Sequence, residues 1–180
     1  MFKLMHNNKG TLTLIGGAED RQSNTGVLQK LLEKTQPKSI AVIPTASMYG
    51  YELGDEYRAC FRRLGVDNIE ILDIKERRDT EEARYLDIAR TADLIFFTGG
   101  DQVKLAHVFL HTGFLQVIKD RYFQSGLHLA GTSAGAMIMS DPLIYDGDDK
   151  DFQKGAVFFE PGFGVTASIT VDTHFMERGR

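Results

Sequence analysis

Five short apolar runs, each four or five residues long and each ended by small or turn-forming residues, constrain this chain more than anything else in it. They are Thr11-Leu12-Thr13-Leu14-Ile15, Ser39-Ile40-Ala41-Val42-Ile43, Ile69-Glu70-Ile71-Leu72, Leu94-Ile95-Phe96-Phe97 and Leu127-His128-Leu129-Ala130. Between them lie apolar residues at helical spacing. Asn24 opens the stripe Val27, Leu28, Leu31, Leu32, and Gly65 stops the stripe Tyr57, Cys60, Phe61, Leu64. Asp79 is expected to cap a helix through about Arg90, and two more helices are expected from Val103 to Leu110 and from Leu115 to Phe123. Short buried strands alternating with helices require right-handed crossovers, hence a mainly parallel sheet with helices on both faces. The expected fold class is α/β, a three-layer αβα sandwich. In such sheets ligands bind at the carboxyl ends of the strands, so the loops at Gly16, Pro44, Thr98 and Gly131 should share one edge.

Composition narrows the function classes. At 180 residues, residues 1–180 read as a single domain large enough for a proper core. Lys and Arg total 21 against 25 acidic residues, a net charge of −4, which speaks against a broad electropositive surface for nucleic acid and favours a small-molecule or peptide partner. Cys60 stands alone on an apolar helical face, so it reads as core, with no intrachain disulfide. Met1 to Lys9 holds no apolar stretch of signal-peptide length, and no segment reaches membrane-spanning length; the expectation is a soluble cytoplasmic protein.

The chemistry concentrates at Gly131-Thr132-Ser133-Ala134-Gly135-Ala136, between an apolar run and Met137-Ile138-Met139. Strand before, helix after and small residues between describe a sharp turn that lifts one side chain clear of the backbone. That side chain is Ser133, and the Ala134 amide at the start of the following helix points where an oxyanion would form. Gly-x-Ser-x-Gly is short and also occurs in ordinary loops; Thr132 sits before the apex and is discounted as the nucleophile. His174, in a polar segment 41 residues further on, is the candidate base, because His6 is terminal, His107 and His111 fall on or near a helix and His128 lies inside a strand.

Other pieces read two ways. Gly99-Gly100 at a strand end either turns the Gly100 amide toward a second oxyanion contact or makes an ordinary tight turn. Gln102 is placed to orient substrate. Gly16-Gly17-Ala18-Glu19-Asp20 lacks the spacing and the Lys-Ser/Thr ending of a phosphate loop, so a nucleotide site is not expected. Asp172, Glu177, Arg178 and Arg180 form a charged cluster around His174, either a guanidinium clamp for a carboxylate or a solvated tail. Cys and His are too scattered for metal ligation, and the acidic loop Asp146 to Asp151 lacks the positions of a calcium loop. Asp141-Pro142 breaks the helix after Met139, and Val165 to Asp172 reads as a strand delivering His174.

Five ordered blocks carry a family resemblance: Gly16-Gly17-Ala18-Glu19-Asp20, Ile43-Pro44-Thr45-Ala46-Ser47, Phe96-Phe97-Thr98-Gly99-Gly100-Asp101-Gln102, Gly131 to Ala136, and Asp172-Thr173-His174-Phe175 with Arg178-Gly179-Arg180. In that order, from about Gly10 to the last residue, the chain resembles the cyanophycinase family of serine peptidases, which also includes dipeptidase E. The resemblance implies a fold akin to class I glutamine amidotransferases, a homodimer, no metal and no other cofactor. It implies a serine exopeptidase that cleaves cyanophycin, a poly-aspartate backbone bearing arginines, into β-aspartyl-arginine dipeptides. Carried onto this chain, Ser133 is the nucleophile, His174 the base, and Gln102, Asp172, Arg178 and Arg180 line the substrate pocket. Thr173 stands where that family usually has glutamine. Family members continue beyond Arg180, so the chain is expected to lack a C-terminal portion in which the acid that orients His174 is placed. Three alternatives stay open: an aspartyl dipeptidase of the dipeptidase E type, an α/β-hydrolase esterase with its acid between Ser133 and His174, and a non-catalytic small-molecule-binding domain.

Overall fold

The computed structural model describes residues 8–23, 25–147 and 157–174. Five parallel strands form the central sheet: β1 (Leu12–Ile15), β2 (Ser39–Ile43), β3 (Asn68–Ile71), β4 (Leu94–Phe97) and β5 (His128–Thr132), in the spatial order β1-β5-β4-β2-β3. Helices α1 (Gly26–Thr35), α2 (Gly50–Arg63), α3 (Ala83–Thr91), α4 (Gln102–Phe109) and α5 (Gly113–Gln124) make the crossovers. The class is α/β, as expected.

Side-chain alternation along the strands decides which helices cover which face. Ile40 and Val42 of β2, with Leu94 and Phe96 of β4, pack on Leu28 and Leu31 of α1 and on Tyr57, Cys60 and Phe61 of α2. Their neighbours Ala41, Ile43, Ile95 and Phe97 point the other way, onto Ala89 of α3, Leu105 and Phe109 of α4, and Phe114 and Ile118 of α5. Because both faces are covered, the inner strands read as unbroken apolar runs rather than as alternation. Aromatic rings anchor each layer: Tyr57 and Phe61 meet Phe96 at centroid distances of 4.9 and 5.5 Å, and Phe97 meets Phe109 at 5.8 Å. Cys60 is fully buried, as read from its stripe, and burial pushes its thiol pKa up.

Several boundaries differ from the sequence expectation. Asp79 caps no long helix; it is the third residue of a 3-10 turn, Arg77–Glu81, whose capping box it closes with Glu76, and α3 starts separately after Glu82. Thr25 takes the N-cap position of α1, and Asn24 lies outside the described residues. β5 runs on through Gly131 and Thr132, so the first half of the Ser133 motif is strand.

The larger correction comes after Ser133. The helix there, α6 (Ala134–Met137), is a single turn. Val165 to Asp172 is not a strand: Thr166 makes one isolated bridge to Ser140, and the rest of the segment has no ladder partner among the described residues. Its β-branched residues carry the propensity, but among the described residues no strand pairs with them beyond that bridge. A small antiparallel hairpin, β6 (Leu143–Gly147) with β7 (Val157–Glu160), stands where the acidic loop was expected to begin. The remainder of that loop, 148–151, is outside the described residues.

Candidate active site

β5 lies between β1 and β4, so the loops that leave the carboxyl ends of all three strands meet around Ser133. Ser133 adopts φ 50° and ψ −116°, a conformation that costs a non-glycine residue about 1–3 kcal/mol and persists only where its surroundings impose it. The two glycines of the motif explain how. A Cβ on Gly131 would overlap the Gly135 carbonyl, and one on Gly135 would overlap the Phe97 carbonyl. Strand β5, turn α6 and the end of β4 therefore approach more closely than any side chain permits. The Ser133 amide donates to the Ile15 carbonyl at 3.0 Å, and the amides of Ala136 and Met137 donate to the Ser133 carbonyl at 2.9 and 3.0 Å. Backbone bonds thus hold the bend on both sides.

The Ser133 hydroxyl lies 3.0 Å from Nε2 of His174, hydrogen-bonding distance. His174 is itself in the left-handed region, at φ 56°. Two glycines wall the pair. A Cβ on Gly17 would come within 2.6 Å of the His174 Nε2 and 3.0 Å of the Ser133 Cβ, and a Cβ on Gly99 within 3.2 Å of the Ser133 Cβ. The β1 loop and the β4 loop close on the serine from opposite sides.

A carboxylate and a phenol complete the near wall, and neither was singled out from the sequence. Glu19 accepts a hydrogen bond from the Thr132 hydroxyl at 2.5 Å and another from the Tyr57 hydroxyl. Burial, followed by the Glu19 charge, raises the Tyr57 pKa, so the phenol remains a donor. The Arg21 guanidinium sits 5.2 Å from the Tyr57 ring centroid and pairs with Glu56 at 3.0 Å. Glu19, Tyr57 and Arg21 share with Ser133, His174 and Gly99 a cavity of about 230 Å³. A larger cavity of about 320 Å³, between Pro44, Tyr51 and Lys104 at the ends of β2 and β3, includes neither Ser133 nor His174. Of these two cavities it is the smaller that contains a hydroxyl with an imidazole in reach, which makes it the candidate site. The signal for Glu19 was its place: an acid two residues past Gly16-Gly17, at the end of the strand beside the serine strand.

The other expected site residues are distributed as follows. Gly100, at φ 140°, follows Gly99 in the β4 loop, and a Cβ on it would overlap the Ala46 carbonyl; Ala134 is buried directly after the serine. Gln102 is 6% exposed, and its amide donates to the Tyr145 carbonyl at 3.0 Å, tying α4 to β6 outside the serine cavity. Asp172 is half-buried and Thr173 is 5% exposed, the two residues leading into His174. Arg178 and Arg180 lie outside the described residues. Among the described residues no group of three or more His, Cys, Asp or Glu side chains is arranged to hold a metal ion, and no helix is long and apolar enough to cross a membrane.

Residues 12–172 match the sequence profile of peptidase family S51. The cyanophycinase of Trichormus variabilis is 33% identical over 175 residues, an alignment covering 96% of this chain and 59% of that protein. The cyanophycinase of Geminocystis herdmanii is 31% identical, with 96% of this chain and 64% of that protein covered. The chain thus spans less than two thirds of the length of these relatives. Among solved structures, a peptidase from an acI-B1 actinobacterium superposes with a TM-score of 0.76 at 30% identity, over 94% of this chain and 70% of that one. A putative peptidase E from Listeria monocytogenes shares the fold, with a TM-score of 0.66 at 22% identity over 93% of this chain and 83% of that one.

Proposed function

The chain belongs to peptidase family S51, and from that premise we propose that it is a serine exopeptidase hydrolysing cyanophycin to β-Asp-Arg dipeptides through an acyl-enzyme on Ser133. The observation that carries this reading is the 3.0 Å approach of the Ser133 hydroxyl and His174 Nε2 at a strained, glycine-walled bend. Cyanophycinases at 31–33% identity support the choice of substrate.

The chemistry follows from those positions. Nε2 of His174 accepts the hydroxyl proton as the Ser133 oxygen attacks the scissile carbonyl, forming a C–O bond and a tetrahedral oxyanion. The amides of Ala134 and Gly100 are the proposed donors to that oxyanion, each worth roughly a hundred- to a thousandfold in rate. Collapse breaks the C–N bond, and the imidazolium gives its proton to the leaving amine. Water then attacks the ester, passes one proton to His174, and the imidazole returns it to the Ser133 oxygen as the acid product leaves. Asp172, Arg178 and Arg180 are proposed to hold the charged ends of the substrate: guanidiniums pair with carboxylates in a forked geometry, and Asp172 suits an arginyl side chain. Gln102 and Thr173, both buried, are proposed to act on that subsite only by supporting its wall, Gln102 through its bond to the Tyr145 carbonyl. A homodimer is proposed as the working assembly, on the resemblance alone, and the cytoplasm as its location.

Thr173 favours a second reading. A buried threonine stands where the cyanophycinase pattern usually has glutamine, removing one long amide from the substrate side. The remaining pocket would then serve an Asp-X dipeptide, as in an aspartyl dipeptidase. Incubation with insoluble cyanophycin, and separately with Asp-Leu, followed by mass spectrometry of the soluble products, separates the two. Release of β-Asp-Arg by the native chain but not by Ser133→Ala supports the first reading. Cleavage of Asp-Leu alone supports the second, and release from neither substrate overturns both.

A further inference from the structure

We propose that Glu19 is a positioning residue for the serine, acting through the hydroxyl of Thr132. The inference rests on the serine-peptidase reading above and adds to it a residue which that mechanism does not use. Glu19 lies in the loop after β1, and it accepts hydrogen bonds from two other elements: the Thr132 hydroxyl on β5 at 2.5 Å and the Tyr57 hydroxyl on α2. An ionised carboxylate has only acceptors, so both hydroxyls are satisfied at once, one on each oxygen. The raised pKa of Tyr57 keeps its hydrogen in place for this bond.

The placement of these bonds matters more than their number. Thr132 is the residue immediately before Ser133, and Ser133 sits at φ 50°, a conformation that must be imposed from outside. Glu19 also closes the Gly16–Asp20 loop, whose Gly17 lies against both the His174 ring and the Ser133 side chain. One carboxylate therefore fixes the near side of the bend and the wall that sets where the imidazole lies. Among the described residues β1 pairs with β5 alone, and Glu19 ties the loop after β1 to α2 as well as to β5. Glu19 hydrogen-bonds to the Thr132 and Tyr57 hydroxyls rather than to the Ser133 hydroxyl, so its effect should fall on the rate of acylation rather than on binding.

The test measures phosphonylation of Ser133 by a fluorophosphonate probe, which reports the reactivity of the hydroxyl independently of the peptide substrate. Glu19→Gln and Thr132→Val should each slow labelling about tenfold or more, Thr132→Ser should restore it, and the double variant should be no slower than the slower single one, since both act through one contact. Labelling at the native rate by folded Thr132→Val and Glu19→Gln, or slowing that multiplies in the double variant, would overturn the proposal. So would equal slowing by Thr132→Ser and Thr132→Val, since the first keeps the hydroxyl. If the native chain itself takes no label at Ser133, the serine reading fails and this inference falls with it; label on the native chain with indifferent variants removes Glu19 alone.

Discussion

Gly17 lies so close to His174 that a single added methyl group would come within 2.6 Å of the imidazole Nε2, the atom that faces Ser133. Gly17 also has φ 110°, which L side chains rarely adopt. Gly17→Ala is expected to displace the ring and lower kcat/KM by about a hundredfold, the usual cost of misplacing a reacting group by roughly an ångström. Urea unfolding should show a loss of more than about 1 kcal/mol from the strained φ. Native kinetics in this variant would show that the ring does not need the position seen here.

Gly135→Ala tests the bend from its other side. A Cβ there overlaps the Phe97 carbonyl, which belongs to a core strand and cannot swing away as a side chain would. We expect a stability loss of about 2–3 kcal/mol, read from the urea midpoint at unchanged m-value.

His128 supplies a pH dependence remote from the site. Its Nδ1 accepts a hydrogen bond from the Thr11 amide at 3.1 Å, just ahead of β1, so protonation there would break the bond. Burial lowers the His128 pKa, against a smaller opposing pull from Asp93. A folded-state pKa below the unfolded value of about 6.5 means that the unfolded chain binds the proton first. The stabilisation is therefore complete above about pH 6.5 and is lost as pH falls through the lowered folded value. His128→Asn keeps an acceptor near the Nδ1 position without titrating, and should flatten the fall in Tm that sets in below about pH 6.5. The same slope in the variant would assign that fall to other groups.

What the sequence revealed, and what it concealed, follows from where each residue gets its partners. Strands buried on both faces show as apolar runs, so β2 and β4 were legible from Ile40 to Ile43 and from Leu94 to Phe97. The serine bend was legible because Gly131 and Gly135 are demanded by backbone contact, and such positions admit little else. Val165 to Asp172 misled for the opposite reason: its Val, Thr and Ile residues favour extended backbone, but a strand also needs a ladder, and among the described residues the segment makes one bridge, Thr166 to Ser140. Leu143–Gly147 and Val157–Glu160 pair away from the main sheet, and every residue of Val157–Glu160 is exposed, so no burial pattern marked that strand. Glu19 stayed hidden because its meaning depends on Thr132, which is 113 residues away in the chain.

The pair Arg178 and Arg180, motivated by sequence and lying outside the described residues, makes a separate prediction. If they clamp a substrate carboxylate, Arg180→Ala should raise KM for a β-aspartyl substrate about tenfold while leaving kcat within a few-fold. An unchanged KM would remove the clamp from the mechanism.

Direct identification of the reacting atom is the most telling measurement for the whole account. Peptide mapping by mass spectrometry after fluorophosphonate treatment should place one label per chain on Ser133, with none on folded Ser133→Ala and labelling slowed about a thousandfold or more in His174→Ala. A label on any other side chain, or a native chain that stays unlabelled while folded, would contradict it.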